Sequence, residues 1–147
     1  MKPSHLSLKY HIIPSTLKLE ITETALMTGA SGELDIIQQF RQYGFQVEID
    51  DFGSGYSSLN TLKDMDVDVI KIDMGFLRTT KPDRLKKSMS ILNTIIALTK
   101  TLGLTVITEG VETKEQVAEL TQMGCKVYQG YYFSKPIPIK QFEDTYL

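Results

Sequence analysis

Short apolar runs alternate with amphipathic stretches along the chain, which is the order expected of strands and helices around a parallel sheet. Five of the runs are rich in β-branched residues, and turn residues or helical patterns follow each of them, so they are predicted to be strands. The predicted strands are 17–22, 47–50, 67–73, 105–109 and 126–130. The pattern therefore predicts an α/β fold with a parallel sheet.

Amphipathic periodicity between these runs predicts four helices. They are 33–43, 83–102, a helix that opens at Thr113 and ends before Gly124, and 139–146. Thr113 and Gln116 have the spacing of a capping box. In the longest helix the apolar stripe is predicted to run from Leu85 through Leu92 and Ile96 to Leu102.

Every predicted strand ends in a charged or amide side chain. The residues are Glu20, Asp50 with Asp51, Lys71 with Asp73, Glu109 and Gln129. In parallel α/β folds, and above all in (β/α)₈ barrels, catalytic groups project from the carboxyl ends of several strands. A single acid at such a place is more often a helix cap, but a series of five strand ends indicates a site.

Four of these residues are acids that are predicted to converge, namely Glu20, Asp50, Asp51 and Glu109. Carboxylates brought together repel each other and cannot all stay ionised unless cations compensate them. An oxygen-only ligand set without His or Cys favours Mg²⁺ or Mn²⁺ over zinc. The sequence therefore predicts a divalent metal site at the strand ends.

Composition limits the remaining possibilities. The chain has 147 residues, 41% of them hydrophobic and 23% charged, which is typical of one soluble domain. A formal net charge of −2 argues against general nucleic-acid binding. Cys125 is the single cysteine and no signal-peptide pattern opens the sequence, so the cytoplasm is the expected location. No stretch approaches the roughly 20 apolar residues of a membrane span.

Five motifs in a fixed order carry a resemblance to a known family. They are LEITE at 19–23, IDDFGSGYSS at 49–58, IKID at 70–73, EGVE at 109–112 and QGYYFSKP at 129–136. Their order and spacing closely resemble the EAL-domain family of cyclic di-GMP phosphodiesterases. The resemblance runs from about residue 15 to the C-terminus.

The resemblance implies a TIM-like (β/α)₈ barrel that uses two Mg²⁺ or Mn²⁺ ions to hydrolyse cyclic di-GMP to linear pGpG. By position, Glu20, Asp50 and Asp51 match metal ligands, Glu109 matches an acid that holds metal or water, and Lys71 matches the lysine beside the attacking water. Asp73 and Gln129 match further residues around the substrate. The residues that match loop-stabilising positions are Glu23, Gly53, Gly55 and Glu112.

Two departures from the family pattern affect these expectations. The family's first strands, with the Glu-Ala-Leu motif and a later Asn ligand, have no counterpart in this sequence, and a full barrel needs about 250 residues. We therefore expect a partial barrel of about five of the eight strands, with 1–14 as an N-terminal segment and 15–147 as βα units of the C-terminal portion. Glu48 stands where many members have a small residue, and it is expected to point the same way as Asp50.

An open sheet of five strands exposes two edges and a polar face that a closed barrel would cover. We therefore expect the chain to form a homo-oligomer or to associate with another domain or chain.

Competing functions follow from the same residues. The first is the hydrolase, and the second is a catalytically inactive regulatory module that binds cyclic di-GMP or a protein. A third makes Lys71 a Schiff-base nucleophile, which surrounding carboxylates disfavour because they keep a lysine protonated. Tyr56, Tyr131, Tyr132 and Phe133 could stack on guanine bases, although aromatic residues beside strand ends more often serve packing.

Overall fold

The computed structural model describes residues 9–23, 25, 33–53, 66–77 and 81–147. Within these residues, five parallel strands form one sheet in the order β1-β2-β3-β4-β5. The strands are β1 Lys18–Thr22, β2 Gln46–Asp50, β3 Val69–Asp73, β4 Thr105–Glu109 and β5 Val127–Tyr128. The predicted α/β fold with five parallel strands is confirmed.

Helices follow the strands as predicted. The described helices are α1 Glu33–Gln42, α2 Pro82–Thr101, α3 Lys114–Gln122 and α4 Ile139–Tyr146. The capping box of α3 is present, since Gln116 N donates to Thr113 Oγ1 at 3.2 Å and Thr113 N donates to Gln116 Oε1 at 3.1 Å. None of the helices in the described ranges has the length and hydropathy needed to cross a membrane.

The apolar face of the sheet packs against the helices. Ile70 and Ile72 of β3 lie in one cluster with Leu92 and Ile96 of α2. On β2, Val47 and Ile49 pack with Ile37 of α1 in a second cluster. Cys125 is buried in the first cluster. This packing explains the apolar runs of β2 and β3, because alternate residues of these strands are buried against a helix.

Two residues of the predicted stripe on α2 are exposed instead of buried. Leu102 follows the helix and lies six residues beyond Ile96, about 240° around the helix axis, so it faces away from the sheet. Leu85 lies in the first turn of α2, outside the buried cluster. The prediction was therefore wrong for Leu85 and Leu102, and right for Leu92 and Ile96.

The opposite face of the sheet is polar. Partnered residues in the ladder direct their side chains to the same face. Glu20 is partnered with Glu48, Thr22 with Asp50, and Asp73 with Glu109. This register collects the acids of four neighbouring strands on the face opposite the one that packs on α1 and α2.

Gly130 allows the chain after β5 to pass close to the loop after β4. A Cβ atom at position 130 would lie 2.1 Å from the carbonyl oxygen of Val111 and 2.4 Å from its nitrogen. The same backbone is held on both sides, since Val111 N donates to Gln129 O at 3.1 Å and Tyr132 N donates to Val111 O at 3.1 Å. Only glycine fits at this crossing, and the crossing places Gln129 at the strand ends.

We therefore expect Gly130→Ala to lower the free energy of unfolding by about 3 kcal/mol, because backbone must move to admit the methyl group. Gly103→Ala is the matched control. Gly103 has a φ of +73° but open space around its Cβ position, so strain alone should cost about 1 kcal/mol. Urea denaturation of both variants measures the difference, and equal losses would contradict a close backbone approach at Gly130.

Candidate active site at the carboxyl ends of the strands

The ammonium group of Lys71 lies among three carboxylates from three other strands. Its Nζ is 2.6 Å from Glu20 Oε1, 3.0 Å from Glu109 Oε1 and 3.3 Å from Asp50 Oδ1. These three acids belong to β1, β4 and β2, and Lys71 belongs to β3 between them. The structure thus brings together four of the predicted site residues.

Burial differs within this cluster. The side chain of Lys71 is only 5% exposed, whereas those of Glu109, Asp50 and Glu20 are 17%, 24% and 52% exposed. One ammonium and three carboxylates have a formal charge of −2. The cluster therefore has a buried positive centre and an accessible side with excess negative charge.

The ionisation of Lys71 reflects two opposing effects. Burial lowers its pKa, but hydrogen bonds to Glu20, Glu109 and Asp50 outweigh burial and raise the pKa above its ordinary value. Lys71 is therefore an ammonium at neutral pH. An imine-forming amine must be neutral, so this environment argues against the Schiff-base interpretation.

Glu109 shows the reverse balance. Burial raises its pKa above the ordinary value, and the charges of Asp50 and Glu20 add to the increase, while the contact with Lys71 opposes it. A carboxylate in this position gains from any additional cation nearby, because a cation favours the charged form.

The turn after β2 is held in an unusual conformation. Asp51 has a φ of +55°, and its backbone nitrogen donates to Asp50 Oδ1 at 3.0 Å. Phe52 N donates to Lys71 O at 3.0 Å, and Gly53 N donates to Glu23 Oε2 at 2.8 Å. The Glu23 side chain is buried. The left-handed turn thus places Asp51 on the exposed side, next to Asp50, and Glu23 supports the backbone two residues further on.

Asp73, Gln129 and Glu112 form no ion pair with Lys71 within the described part of the chain. Asp73 is partnered with Glu109 in the ladder, and its Oδ1 accepts a hydrogen bond from Gly75 N. Gln129 is exposed beyond the end of β5. Glu112 is exposed in the loop before α3, where its nitrogen donates to Gln116 Oε1 at 2.8 Å. Gly55 lies outside the described residues.

Sequence reasoning missed one charged residue on this face, Lys18. Glu48 points to the polar face as expected and is buried, and Lys18 Nζ lies 3.5 Å from its Oε1. Lys18 also donates to Gln46 Oε1. The available signal was the alternation along β1, which puts Lys18 on the same face as Glu20.

The donor set suits a hard divalent ion, because the accessible atoms are carboxylate oxygens whose charge exceeds that of one ammonium. Among the described residues, no group of three or more His, Cys, Asp or Glu side chains is spaced as a ready metal site. The carboxylates instead converge on Lys71. The residues therefore fit Mg²⁺ or Mn²⁺ in chemical type, with Lys71 sharing the same oxygens.

Aromatic side chains lie beside Gln129. Tyr131, Tyr132 and Phe133 are exposed, and Phe133 stacks on Tyr128 at a centroid distance of 6.1 Å. Phe133 also meets Tyr132 edge to face at 5.1 Å. These rings form a rim at the end of β5, and Tyr56 lies outside the described residues.

Comparison with known proteins identifies the family. The family model described as EAL domain matches residues 3–136. The cyclic di-GMP phosphodiesterase RocR of Pseudomonas aeruginosa is 36% identical over 141 residues, which cover 96% of this chain and 36% of RocR.

Solved structures agree with this match. The PaMucR phosphodiesterase in its c-di-GMP complex superposes with a TM-score of 0.85 at 39% identity, covering 94% of this chain and 55% of that chain. The manganese and cy-diGMP complex of BlrP1 from Klebsiella pneumoniae has a TM-score of 0.81 at 31% identity, covering 90% and 33%.

The chain thus spans little more than half of these proteins at most. The likeness confirms the predicted fold class, a partial TIM-like (β/α) barrel. With nearly the whole sequence matched by one family and the same fold found in its solved structures, the chain belongs to the EAL domain family.

Proposed function

We propose that this chain carries the catalytic face of a metal-dependent phosphodiesterase that hydrolyses cyclic di-GMP to linear pGpG. The observation that carries the proposal is the convergence of Glu20, Asp50 and Glu109 on Lys71 at the carboxyl ends of four neighbouring strands. The RocR and PaMucR relatives are named as phosphodiesterases, and the PaMucR structure contains c-di-GMP.

The acids would hold divalent cations. We assign Glu20, Asp50, Asp51 and Glu109 as ligands for Mg²⁺ or Mn²⁺, since they are the accessible carboxylates around the negative side of the cluster. BlrP1 is a family member whose structure contains manganese together with cy-diGMP. Such ions, when bound, activate water and neutralise the charge that develops on phosphoryl oxygens.

Lys71 would act beside the reacting phosphate. Its ammonium is fixed by three carboxylates, so it can attract an anionic phosphoryl group and orient a water without losing its proton. In the reaction, the water oxygen forms a bond to phosphorus and one ester P–O bond breaks. One proton of the water passes to the leaving oxygen, and the other stays on the new terminal phosphate or is released to solvent. The product is the linear dinucleotide with a terminal phosphate.

The surrounding residues would orient the substrate and the turn. We assign Asp73 and Gln129 to the substrate side, because both lie at strand ends around the cluster. Glu23 and Gly53 hold the turn that presents Asp51 through the hydrogen bond between them. Gly55 and Glu112 complete the loop-stabilising set proposed from the family pattern.

One observation favours the inactive alternative. The described carboxylates surround an ammonium, and no group of three or more metal-binding side chains among them is ready for an ion. A regulatory module would use the same face to bind cyclic di-GMP without hydrolysing it. Turnover separates the two functions.

We also propose the setting of this activity. Residues 15–147 would form the C-terminal βα units of the domain and 1–14 an N-terminal segment. Among the described residues, β1 and β5 each pair with one strand only, and Glu20 and the rim aromatics are exposed. Further polypeptide, from a second copy or another domain, would cover these edges. The buried Cys125 favours a reducing compartment, the cytoplasm.

Turnover is the first test. Incubation of the purified chain with cyclic di-GMP and Mn²⁺ or Mg²⁺ should yield pGpG, followed by chromatography, and EDTA should stop it. Asp50→Ala should lower kcat at least about 100-fold, because even the residues behind metal ligands are worth 10-fold to 100-fold. Asp35→Ala removes an exposed aspartate from α1 and is the matched control. Absence of turnover with retained cyclic di-GMP binding would establish the regulatory module instead.

Lys71→Met tests the charge balance of the cluster. Removal of the ammonium leaves three neighbouring carboxylates uncompensated, so in EDTA the free energy of unfolding should fall by about 2–3 kcal/mol. Millimolar Mn²⁺ should recover more stability in Lys71→Met than in the unchanged protein, as measured by denaturant titration. An equal effect of Mn²⁺ on both proteins would argue against metal binding by these carboxylates.

Self-association follows from the open edges. Sedimentation velocity of the isolated chain at micromolar concentration should show dimers or larger species whose proportion rises with concentration. A monomer that unfolds cooperatively and does not associate over a hundredfold range of concentration would contradict the proposed need for covering polypeptide.

A further inference from the structure

A second ion pair, Lys18 with Glu48, lies beside the Lys71 cluster on the polar face. Glu48 is 2% exposed and is partnered in the ladder with Glu20. Lys18 Nζ lies 3.5 Å from Glu48 Oε1, and this oxygen has no hydrogen-bond partner among the described residues. A buried carboxylate with a single ion pair and an unsatisfied oxygen is costly.

Packing alone does not explain a glutamate here. Glutamates directly opposite each other on neighbouring strands repel, and Glu48 faces Glu20 in this way. A small apolar residue would fill the position without a buried charge. We therefore looked for the role of the Glu48 carboxylate in its ion pair with Lys18.

Lys18 is close enough to compete for a residue of the site. It lies two residues before Glu20 on β1, about 7 Å along the strand and on the same face. Both side chains are half-exposed, at 47% for Lys18 and 52% for Glu20, so both have room to move. Lys18 also donates to Gln46 Oε1, but Gln46 is uncharged, so without Glu48 the nearest acid to Lys18 along the strand would be Glu20.

We propose that Glu48 is a positioning residue that holds Lys18 away from Glu20, so that Glu20 stays available to the cluster and to a bound cation. The inference rests on the proposed function in one respect, since it takes Glu20 as a ligand of the divalent ion. Lys18 and Glu48 form one set of ion pairs, and Lys71 with its three carboxylates forms the other. Lys18 thus pairs with Glu48, and Lys71 pairs with Glu20, Asp50 and Glu109.

The test is a double-mutant cycle on Mn²⁺ binding, measured by isothermal titration of the metal-free full chain. Glu48→Ala should weaken Mn²⁺ binding about tenfold, because Lys18 then pairs with Glu20. Lys18→Met in the Glu48→Ala background should restore binding to within about twofold of the unchanged protein. Lys18→Met with Glu48 present should change binding less than about threefold.

Two controls accompany the cycle. Glu119→Ala removes an exposed glutamate from α3 and should leave Mn²⁺ binding unchanged. Thermal unfolding identifies the folded variants. If Glu48→Ala does not fold, Glu48→Gln replaces it, and if Lys18→Met does not fold, Lys18→Gln replaces it.

The outcomes separate this inference from the proposed function. Failure of the unchanged protein to bind Mn²⁺ would overturn the proposed metal site. Mn²⁺ binding by Glu20→Gln that equals that of the unchanged protein would remove only Glu20 as a ligand, and the positioning role of Glu48 with it. If Glu20→Gln binds weakly but Glu48→Ala binds normally, only the positioning role is overturned. Equal effects of Lys18→Met with and without Glu48 would also overturn it, because Glu48 would then act only through its charge.

Discussion

The contact between the buried ammonium of Lys71 and carboxylates from three other strands is the interaction on which the polar face depends. Charges this close to a sheet surface are tolerated only when they compensate each other. Lys71 can reach Glu20, Asp50 and Glu109 together because β3 lies between β2 and β4 and the ladder register aligns the strand ends. The order of the strands therefore determines which charged side chains can neutralise each other at the site.

The two faces of the sheet satisfy different requirements. On one face, Ile70 and Ile72 of β3 are buried with Leu92 and Ile96 of α2, and Val47 and Ile49 of β2 are buried with Ile37 of α1. On the opposite face, two sets of ion pairs organise the charged residues, Lys18 with Glu48 and Lys71 with its three carboxylates. In the proposed role of Glu48, the Lys18–Glu48 pair keeps Lys18 away from Glu20, so that Glu20 stays available to a cation.

The loops at the strand ends are fixed by backbone contacts as much as by side chains. Asp51 adopts a left-handed conformation that non-glycine residues rarely adopt, and the hydrogen bonds of Phe52 and Gly53 hold the turn around it. At the other end of the site, the close approach of Gly130 to Val111 carries Gln129 to the strand ends. The turn after β2 thus positions Asp51, and the close approach at Gly130 positions Gln129, although both residues lie beyond the ends of their strands.

The fold class and the location of the site could be predicted from the sequence. The alternation of short apolar runs with helical patterns determined the α/β class, the five strands and the capping box at Thr113, because burial on one face imposes a period that residues display directly. The polar residues at strand ends and the five motifs indicated where the site lies and which family it resembles. Periodicity did not reveal how far the core extends, and so Leu85 and Leu102 were wrongly assigned to it.

Only the tertiary structure decided which charges meet. That Glu20, Asp50 and Glu109 share Lys71, that Asp51 turns to the exposed side, and that Lys18 neutralises Glu48 all depend on strand order and register. Alternation along one strand determines the face on which a side chain lies, but the distance between side chains on different strands is a property of the assembled sheet. A shift of one residue in register would turn a strand's whole polar set to the other face, so the pairing of these charges could not be obtained from the order of residues alone.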